Sequence, residues 1–467
     1  MMKRFYLTRV ATCILAAILM TSSIGFAATE QDKQQAIDNG LAWLASTQAT
    51  SEPTPGVFEG YWPYSNDGTL AATGSAALAF IEKGYLPGTD VVIGGTNYGD
   101  VVGKAVNYIF NRATVDTGFG VETAGYTRYA EDYNNDGNYT NDGGNNQAIF
   151  FDPANYKRDI YTTGIVAPVI SALGNAYTPD TVIGRGTVTS TMTYREVMQD
   201  VVDWYSYGQV EPDKGNQRGG WRYTPNYSNS DNSTAQWAAL TMLYGQEWGL
   251  DTPDFVKDEL ELWVNYVQHG QDGSYKAGGS GYSDPNTYVN PAKTGGLLLQ
   301  LLAMDTPIND PRVQNAINYL QSMNTYDHWN QGATTAYGQW NGGHIGNPYA
   351  MWAVYKALKA YGVDIIATAP GGFTIGQDWD PQTSDPGDWY AQYCDWLVAH
   401  QLDGGVHDGK YWAGYSYWTG ALAAGWNVNI LNAAGVPEPI IPAPGAVLLG
   451  AMGLGMVGWM KRRKQKA

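Results

Sequence analysis

Between residues 30 and 430 one arrangement of apolar, aromatic and polar positions recurs six times. Leu41-Ala42-Trp43-Leu44 followed by Gln48 sets the form. Val106-Asn107-Tyr108-Ile109, Val202-Asp203-Trp204-Tyr205 with Gln209, and Val264-Asn265-Tyr266-Val267 with Gln271 repeat it. Ile317-Asn318-Tyr319-Leu320 with Asn324 and Cys394-Asp395-Trp396-Leu397 with Gln401 complete the set. Each run joins an aliphatic-type residue, a polar or small one, an aromatic and usually another aliphatic, and reads as a helix. Repetition at such a period marks stacked structural units rather than separate domains.

A second, more apolar stretch follows each first one. Thr73-Gly74, Thr163-Gly164, Thr234-Ala235, Thr294-Gly295 and Thr419-Gly420 open these stretches, with Tyr349-Ala350 at the equivalent place in the fifth unit. A Thr near a helix start is expected to cap free backbone N–H groups, and Gly or Ala lets neighbouring helices approach closely. The runs Ser75–Phe80, Gln236–Tyr244 and Gly295–Leu302 are apolar nearly all round, which predicts a buried inner layer. Six helical hairpins give an all-α chain of twelve helices, and neither layer buries its apolar face unless the hairpins stack. They can close into a two-layered ring, an (α/α)6 toroid over residues 28–432, or remain an open solenoid. The lack of a polar capping repeat at either end of the series favours closure.

Gly-aromatic loops separate the paired helices: Gly60-Tyr61-Trp62, Gln217-Arg218-Gly219-Gly220-Trp221 and Gln271-Asp272-Gly273-Ser274-Tyr275. With the Gln-aromatic helices, these resemble the QW-type repeats of squalene–hopene cyclases and their relatives, the protein prenyltransferase β-subunits, over roughly residues 30–430. The resemblance implies the toroid. It also implies, for a class II cyclase, an acid motif Asp-x-Asp-Asp-Thr-Ala at an inner-helix start. At that place stands Ser230-Asp231-Asn232-Ser233-Thr234-Ala235, which keeps the Thr-Ala and loses the motif aspartates. Asp159-Ile160-Tyr161-Thr162-Thr163-Gly164 keeps only the first. Protonating an alkene needs an assisted carboxyl group, and neither set supplies the cluster. The prenyltransferase branch implies a zinc held by Asp, Cys and His. Here Trp418 stands where the resemblance places His, and Cys394 occupies an aliphatic slot and reads as a small buried hydrophobe.

The two ends have their own patterns. Lys3, Arg4 and Arg9 precede the 11-residue apolar run Val10–Met20, and small residues lead to Ala27. That order is a secretory signal cleaved after Ala27, so residues 1–27 are set apart, and the run is too short to span a bilayer. At the other end, within 433–467, Val436-Pro437-Glu438-Pro439 precedes the 15-residue apolar run Ala446–Met460 and the basic cluster Lys461-Arg462-Arg463-Lys464. This three-part tail resembles the PEP-CTERM sorting signal of Gram-negative-type bacteria. The resemblance implies an exosortase-type processing enzyme as partner, a transient membrane hold, and delivery to the cell surface or extracellular matrix; a simple short anchor is the alternative reading of the same residues.

Composition narrows the function. The formal net charge is −17, and removing the basic clusters at the two ends leaves a body more acidic still. Such a field repels phosphate backbones, so nucleic acid is not a partner. Cys13 falls in the leader, so Cys394 stands alone and stability rests on packing. Asp132-Tyr133-Asn134-Asn135-Asp136-Gly137 begins like a calcium loop, with Asp132, Asn134 and Asp136 as oxygen ligands, although Gly143 stands where an EF-hand has its bidentate Glu; a polar turn is the plain alternative. The five histidines show no His-Glu-x-x-His spacing. Gly (57), Tyr (34) and Trp (17) are abundant while charged residues are 15%, which suits aromatic-lined loops around a folded body. Trp221, Tyr223, Trp340, Trp412 and Trp418 are the expected ligand contacts at the mouth of the ring, stacking on a polysaccharide (preferred) or lining a lipid cavity; core packing is their plain alternative. The enzymatic alternative, a glycan hydrolase or lyase or a divergent terpenoid cyclase, would draw on Asp159, Asp231 and Glu122, and a purely structural matrix role is the third reading.

Overall fold

The computed structural model describes residues 28–65, 68–116, 148–151, 158–250, 252–274, 276–325, 345–366, 373–375, 388–403 and 410–437. Twelve α-helices account for most of these residues, and five two-stranded antiparallel ribbons lie between them. The all-α expectation holds at that level: the chain is mostly helical.

The odd-numbered helices are the Gln-aromatic stretches: α1 (Glu30–Thr47), α3 (Tyr98–Phe110), α5 (Tyr194–Gly208), α7 (Asp254–Val267), α9 (Pro311–Thr325) and α11 (Trp389–Ala399). Their starts are set by side chains. Thr29 with Asp32 and Thr193 with Glu196 form reciprocal capping boxes, and Asn97 and Asp388 accept from first-turn N–H groups. Burial is nearly all round in α5, from Asp200 to Ser206, and confined to one stripe in α7. In α7 the buried residues are Val256, Leu260, Trp263, Val264 and Val267, spaced so that one face is covered.

The even-numbered helices are α2 (Thr69–Glu82), α4 (Asp159–Ala176), α6 (Asn232–Glu247), α8 (Pro291–Ala303), α10 (Pro348–Ala360) and α12 (Gly420–Leu431). All of α8 is buried, as is α2 from Leu70 to Ile81, so these helices have neighbours on every side. Helix α2 packs on α4, α4 on α6, α6 on α8, α8 on α10, α10 on α12, and α12 on α2. The odd helices lie outside this series: α1 against α12 and α2, α5 against α4 and α6, α11 against α12 and α1. Small residues set how close the inner helices come. A side chain on Gly164 would strike Trp237 Cβ at 2.4 Å, and one on Gly425 would strike the Ser75 carbonyl oxygen at 2.4 Å, where Ser75 Oγ also donates to Leu422 O (2.8 Å).

The repeated threonines do not cap these helices. Thr73, Thr163 and Thr294 sit one turn inside, where each hydroxyl accepts the backbone N–H of the incoming segment, from Trp62 (3.3 Å), Phe151 (3.0 Å) and Ser280 (3.1 Å). Capping falls to the residues earlier in the chain: Asp231, Asn290 and Asn347 accept from Ser233, Lys293 and Ala350. An Asx side chain reaches the second or third N–H of a helix, and the threonine is left free to hold the loop.

The repeated glutamines join one outer helix to the next. Gln48 Nε2 donates to Val101 O in α3, Gln209 to Val256 O in α7, Gln268 to Arg312 O in α9, and Gln401 to Ala36 O in α1. This corrects the fourth repeat. Gln268, five residues after Trp263, fills the place that the sequence reading gave to Gln271 and Tyr266. Tyr266 and Trp263 lie three apart on one helix, so both satisfy an apolar periodicity and only the bond settles the register.

Candidate functional site

The first turns of the even-numbered helices converge on a cavity of about 390 Å³. Gly68 and Ala71 line it from α2, Arg158, Tyr161, Thr162 and Ile165 from α4, Ser233 from α6, Lys293 from α8, Tyr349 from α10, and Trp418 and Leu422 from the start of α12. Tyr64, Tyr223, Tyr282 and Tyr417 enter from the preceding loops. All six inner helices therefore aim the partial positive charge of their N-terminal ends at one space.

The wall is aromatic and its rings are in register. Tyr349 stacks on Trp418 with centroids 4.4 Å apart and planes 13° apart, and Tyr161 lies 6.3 Å from Trp418 and 6.1 Å from Tyr223. Trp237 and Trp426, stacked at 6.0 Å and almost wholly buried, back this wall from below.

Behind the rings runs a chain of hydrogen bonds that fixes their orientation. Tyr161 Oη donates to Ser233 Oγ (2.6 Å), and Ser233 Oγ donates to Asp231 Oδ1 (2.6 Å). The same oxygen accepts the Ser233 backbone N–H at 2.7 Å, which starts α6. Tyr349 Oη donates to Ser233 O (2.8 Å), and the Gln236 amide donates to Tyr349 Oη. Burial pushes the Asp231 carboxyl upward, opposed by Ser233, Tyr282 and Lys293. Burial also carries Tyr161, Tyr282 and Tyr349 above the ordinary tyrosine range, so their hydroxyls stay protonated at neutral pH. The Lys293 ammonium is brought down to about 8 by burial, with Asp231 pulling the other way.

Three cations surround one hydrogen-bonded tyrosine pair. Tyr223 Oη and Tyr282 Oη are 3.0 Å apart. The Arg222 guanidinium stands 5.2 Å from the Tyr223 ring centre and 5.9 Å from that of Tyr282; Arg158 is 5.9 Å from Tyr223, and Lys293 Nζ is 5.6 Å from Tyr282. Lys293 is 3% exposed, whereas Arg158 is exposed at the rim.

The residues expected at the mouth divide into two groups. Tyr223 and Trp418 line the cavity. Trp221 and Trp412 do not: they are wholly buried, and their indole N–H groups donate to Tyr205 O (2.7 Å) and Leu397 O (2.8 Å) in the last turns of α5 and α11. Trp62 does the same for Leu44 O (2.8 Å). The Gly-aromatic loops therefore satisfy carbonyls that a helix end leaves open. Of the catalytic candidates, Asp231 is a buried helix cap and Asp159 is the first residue of α4; neither is among the residues lining the cavity. Glu122, Trp340, the calcium-loop residues Asp132, Asn134 and Asp136, and the processing residues Ala27, Glu438 and Pro439 lie outside the described residues. Pro437 is described and buried.

Arg158, Tyr161, Lys293 and Tyr349 were not expected here. A signal for the site does exist in the sequence: before four of the five repeated threonines stand Thr162, Ser233, Lys293 and Trp418, and all four line the cavity, whereas Ala72 before Thr73 does not. No known protein-family model, curated protein or solved structure matches the chain.

Proposed function

We propose that this chain is an exported protein whose six hairpins close into an (α/α)6 toroid, and that the toroid binds a glycan in its aromatic mouth. Three contacts support closure: α12 lies on α2, α11 lies on α1, and Gln401 donates to Ala36 O across the join (2.7 Å). An open solenoid would leave the first and last hairpins without those partners.

The observation that carries the ligand reading is the Tyr161–Tyr349–Trp418 wall beside the Tyr223 and Tyr282 hydroxyls. Flat faces offer stacking for the apolar face of a sugar ring, and the hydroxyls offer donors and acceptors to its edge. Among the described lining residues there is no carboxylate, whereas glycoside hydrolysis uses two facing ones. Elimination by a tyrosinate is opposed at Tyr161, Tyr282 and Tyr349 by the burial that disfavours their ionised forms. The leader ending at Ala27 and the Pro437-Glu438-Pro439 tail support export, an exosortase-type partner and residence at the cell surface or in the matrix.

The test is calorimetric titration of the mature chain against a panel of oligosaccharides, neutral and acidic, with Trp418→Ala as comparison. Binding to at least one class is expected, weakened about 3- to 10-fold in the variant, as loss of one stacked ring predicts. Absence of binding across the panel would remove the reading.

A further inference from the structure

We infer that the glycan is acidic, its carboxylate held by Arg158 and Lys293 with Arg222 behind them; this rests on the glycan reading above. The chain is strongly acidic, and several of its cations elsewhere are answered by acids: Arg112 by Glu59, Arg218 by Glu259, Lys257 by Asp305 and Arg312 by Asp310. Around the Tyr223–Tyr282 pair the balance reverses. Three cations gather within 6 Å of those two rings, and Asp231 is the carboxylate that faces them from behind.

The placement costs stability, which is why it points to a ligand. Lys293 is the one charged residue of a wholly buried helix and is 97% removed from solvent, its amine set over the rings of Tyr282 (5.6 Å) and Tyr349 (5.8 Å). An ammonium is costly to bury, and a ligand's negative charge placed beside it in the cavity would favour it. Arg222, outside the cavity lining, stands behind the Tyr223 and Tyr282 rings with its Nε buried and without a hydrogen-bond partner. Arg158 at the rim presents a planar fork suited to a carboxylate. The sugar ring would lie on the tyrosine and tryptophan faces while its acid group turns to the cations. About 390 Å³ lies within the size of ordinary small-ligand pockets, so one end or a short segment of a polymer fits rather than a long stretch.

The experiment titrates the mature chain with oligomers of several uronic acids and with the same oligomers after reduction of the carboxyl groups. The acid form is expected to bind about 10-fold more tightly or better at low salt, the yield of one charge-assisted bond. Lys293→Met and Arg158→Gln should each erase most of that preference, so that acid and reduced oligomers bind each variant about equally. Arg158 is exposed, so its variant keeps the test sharp if the buried lysine variant folds poorly; thermal melts check both. Equal binding of acid and reduced forms overturns the acidic assignment and leaves glycan binding standing. Failure of both forms overturns the two together. Stronger binding of a lipid phosphate or inorganic phosphate than of any uronate also overturns it, in favour of a phosphate site.

Discussion

Gly425 is where the last inner helix meets the first, and the meeting can be tested by one methyl group. A Cβ there falls 2.4 Å from Ser75 O and 2.5 Å from Ser75 C, whereas ordinary contact begins at 3.4 Å. The obstacle is backbone, so α12 and α2 must part by about 1 Å, which costs about 1–3 kcal/mol as overpacking. Parting also weakens the Ser75–Leu422 bond, about 1 kcal/mol. Alanine returns about 1 kcal/mol through helix propensity, so Gly425→Ala should destabilise by about 1–3 kcal/mol net. Gly103 in α3 is the control. Nothing lies within 4 Å of its added Cβ, so Gly103→Ala keeps only the propensity gain of about 0.5–1 kcal/mol. Urea unfolding followed by tryptophan fluorescence should therefore move the two midpoints in opposite directions. If both variants shift the same way, the close seam between α12 and α2 is wrong.

Other expectations follow from single contacts. Lys356 is wholly buried, its amine has no hydrogen-bond partner and lies 4.1 Å from the Trp237 ring centre, so Lys356→Met should stabilise by about 1–3 kcal/mol in the same unfolding assay. Burial holds this amine well below a lysine's ordinary 10.5, so the native chain loses stability as pH falls from 10.5 through the folded value, and the methionine variant's advantage should widen on the acid side. Gln209→Ala removes two buried bonds, to Gly219 O (2.8 Å) and Val256 O (2.9 Å), and strands the loop carbonyl of Gly219; a loss of about 1–3 kcal/mol is expected, and a loss under about 0.5 kcal/mol would show that the glutamine stitch is incidental. A chain ending at Asn432 should melt below one ending at Pro437, because Tyr244 and Tyr355 then lose the carbonyls of Gly435 (2.8 Å) and Ala434 (2.9 Å) that accept from their hydroxyls. Equal melting temperatures would refute that contribution.

Much of this architecture is legible in the residues. The alternation of amphipathic and wholly apolar stretches separates outer from inner helices, because burial follows directly from which positions are greasy. The Thr-Gly and Thr-Ala marks locate the helix starts, and glycine at 164 does admit a neighbour's Trp237. What the marks do was not legible. Whether a threonine caps its helix or catches a passing loop depends on where the loop passes, which is a tertiary fact. The same limit explains Trp221 and Trp412. A Trp after Gly-Gly or Tyr looks like a loop ring in sequence, and only its fold partner, an open carbonyl at a helix end, turns it inward. Lys293 was visible as a lone charge among apolar residues, yet its meaning came from three other segments converging on Tyr282.

Residues 433–436 remain in contact with the body. Ala433 and Val436 pack on the core, and Ala434 and Gly435 are grasped by tyrosines from α10 and α6 while Gly435 donates its N–H to Glu82 at the end of α2. These are the trailing ends of the inner helices, and the cavity is at their leading ends. The chain therefore leaves its body from the face opposite the binding mouth. A pull on residues 434–435 would therefore be borne by Glu82, Tyr244 and Tyr355, on three helices at once and away from the aromatic cavity.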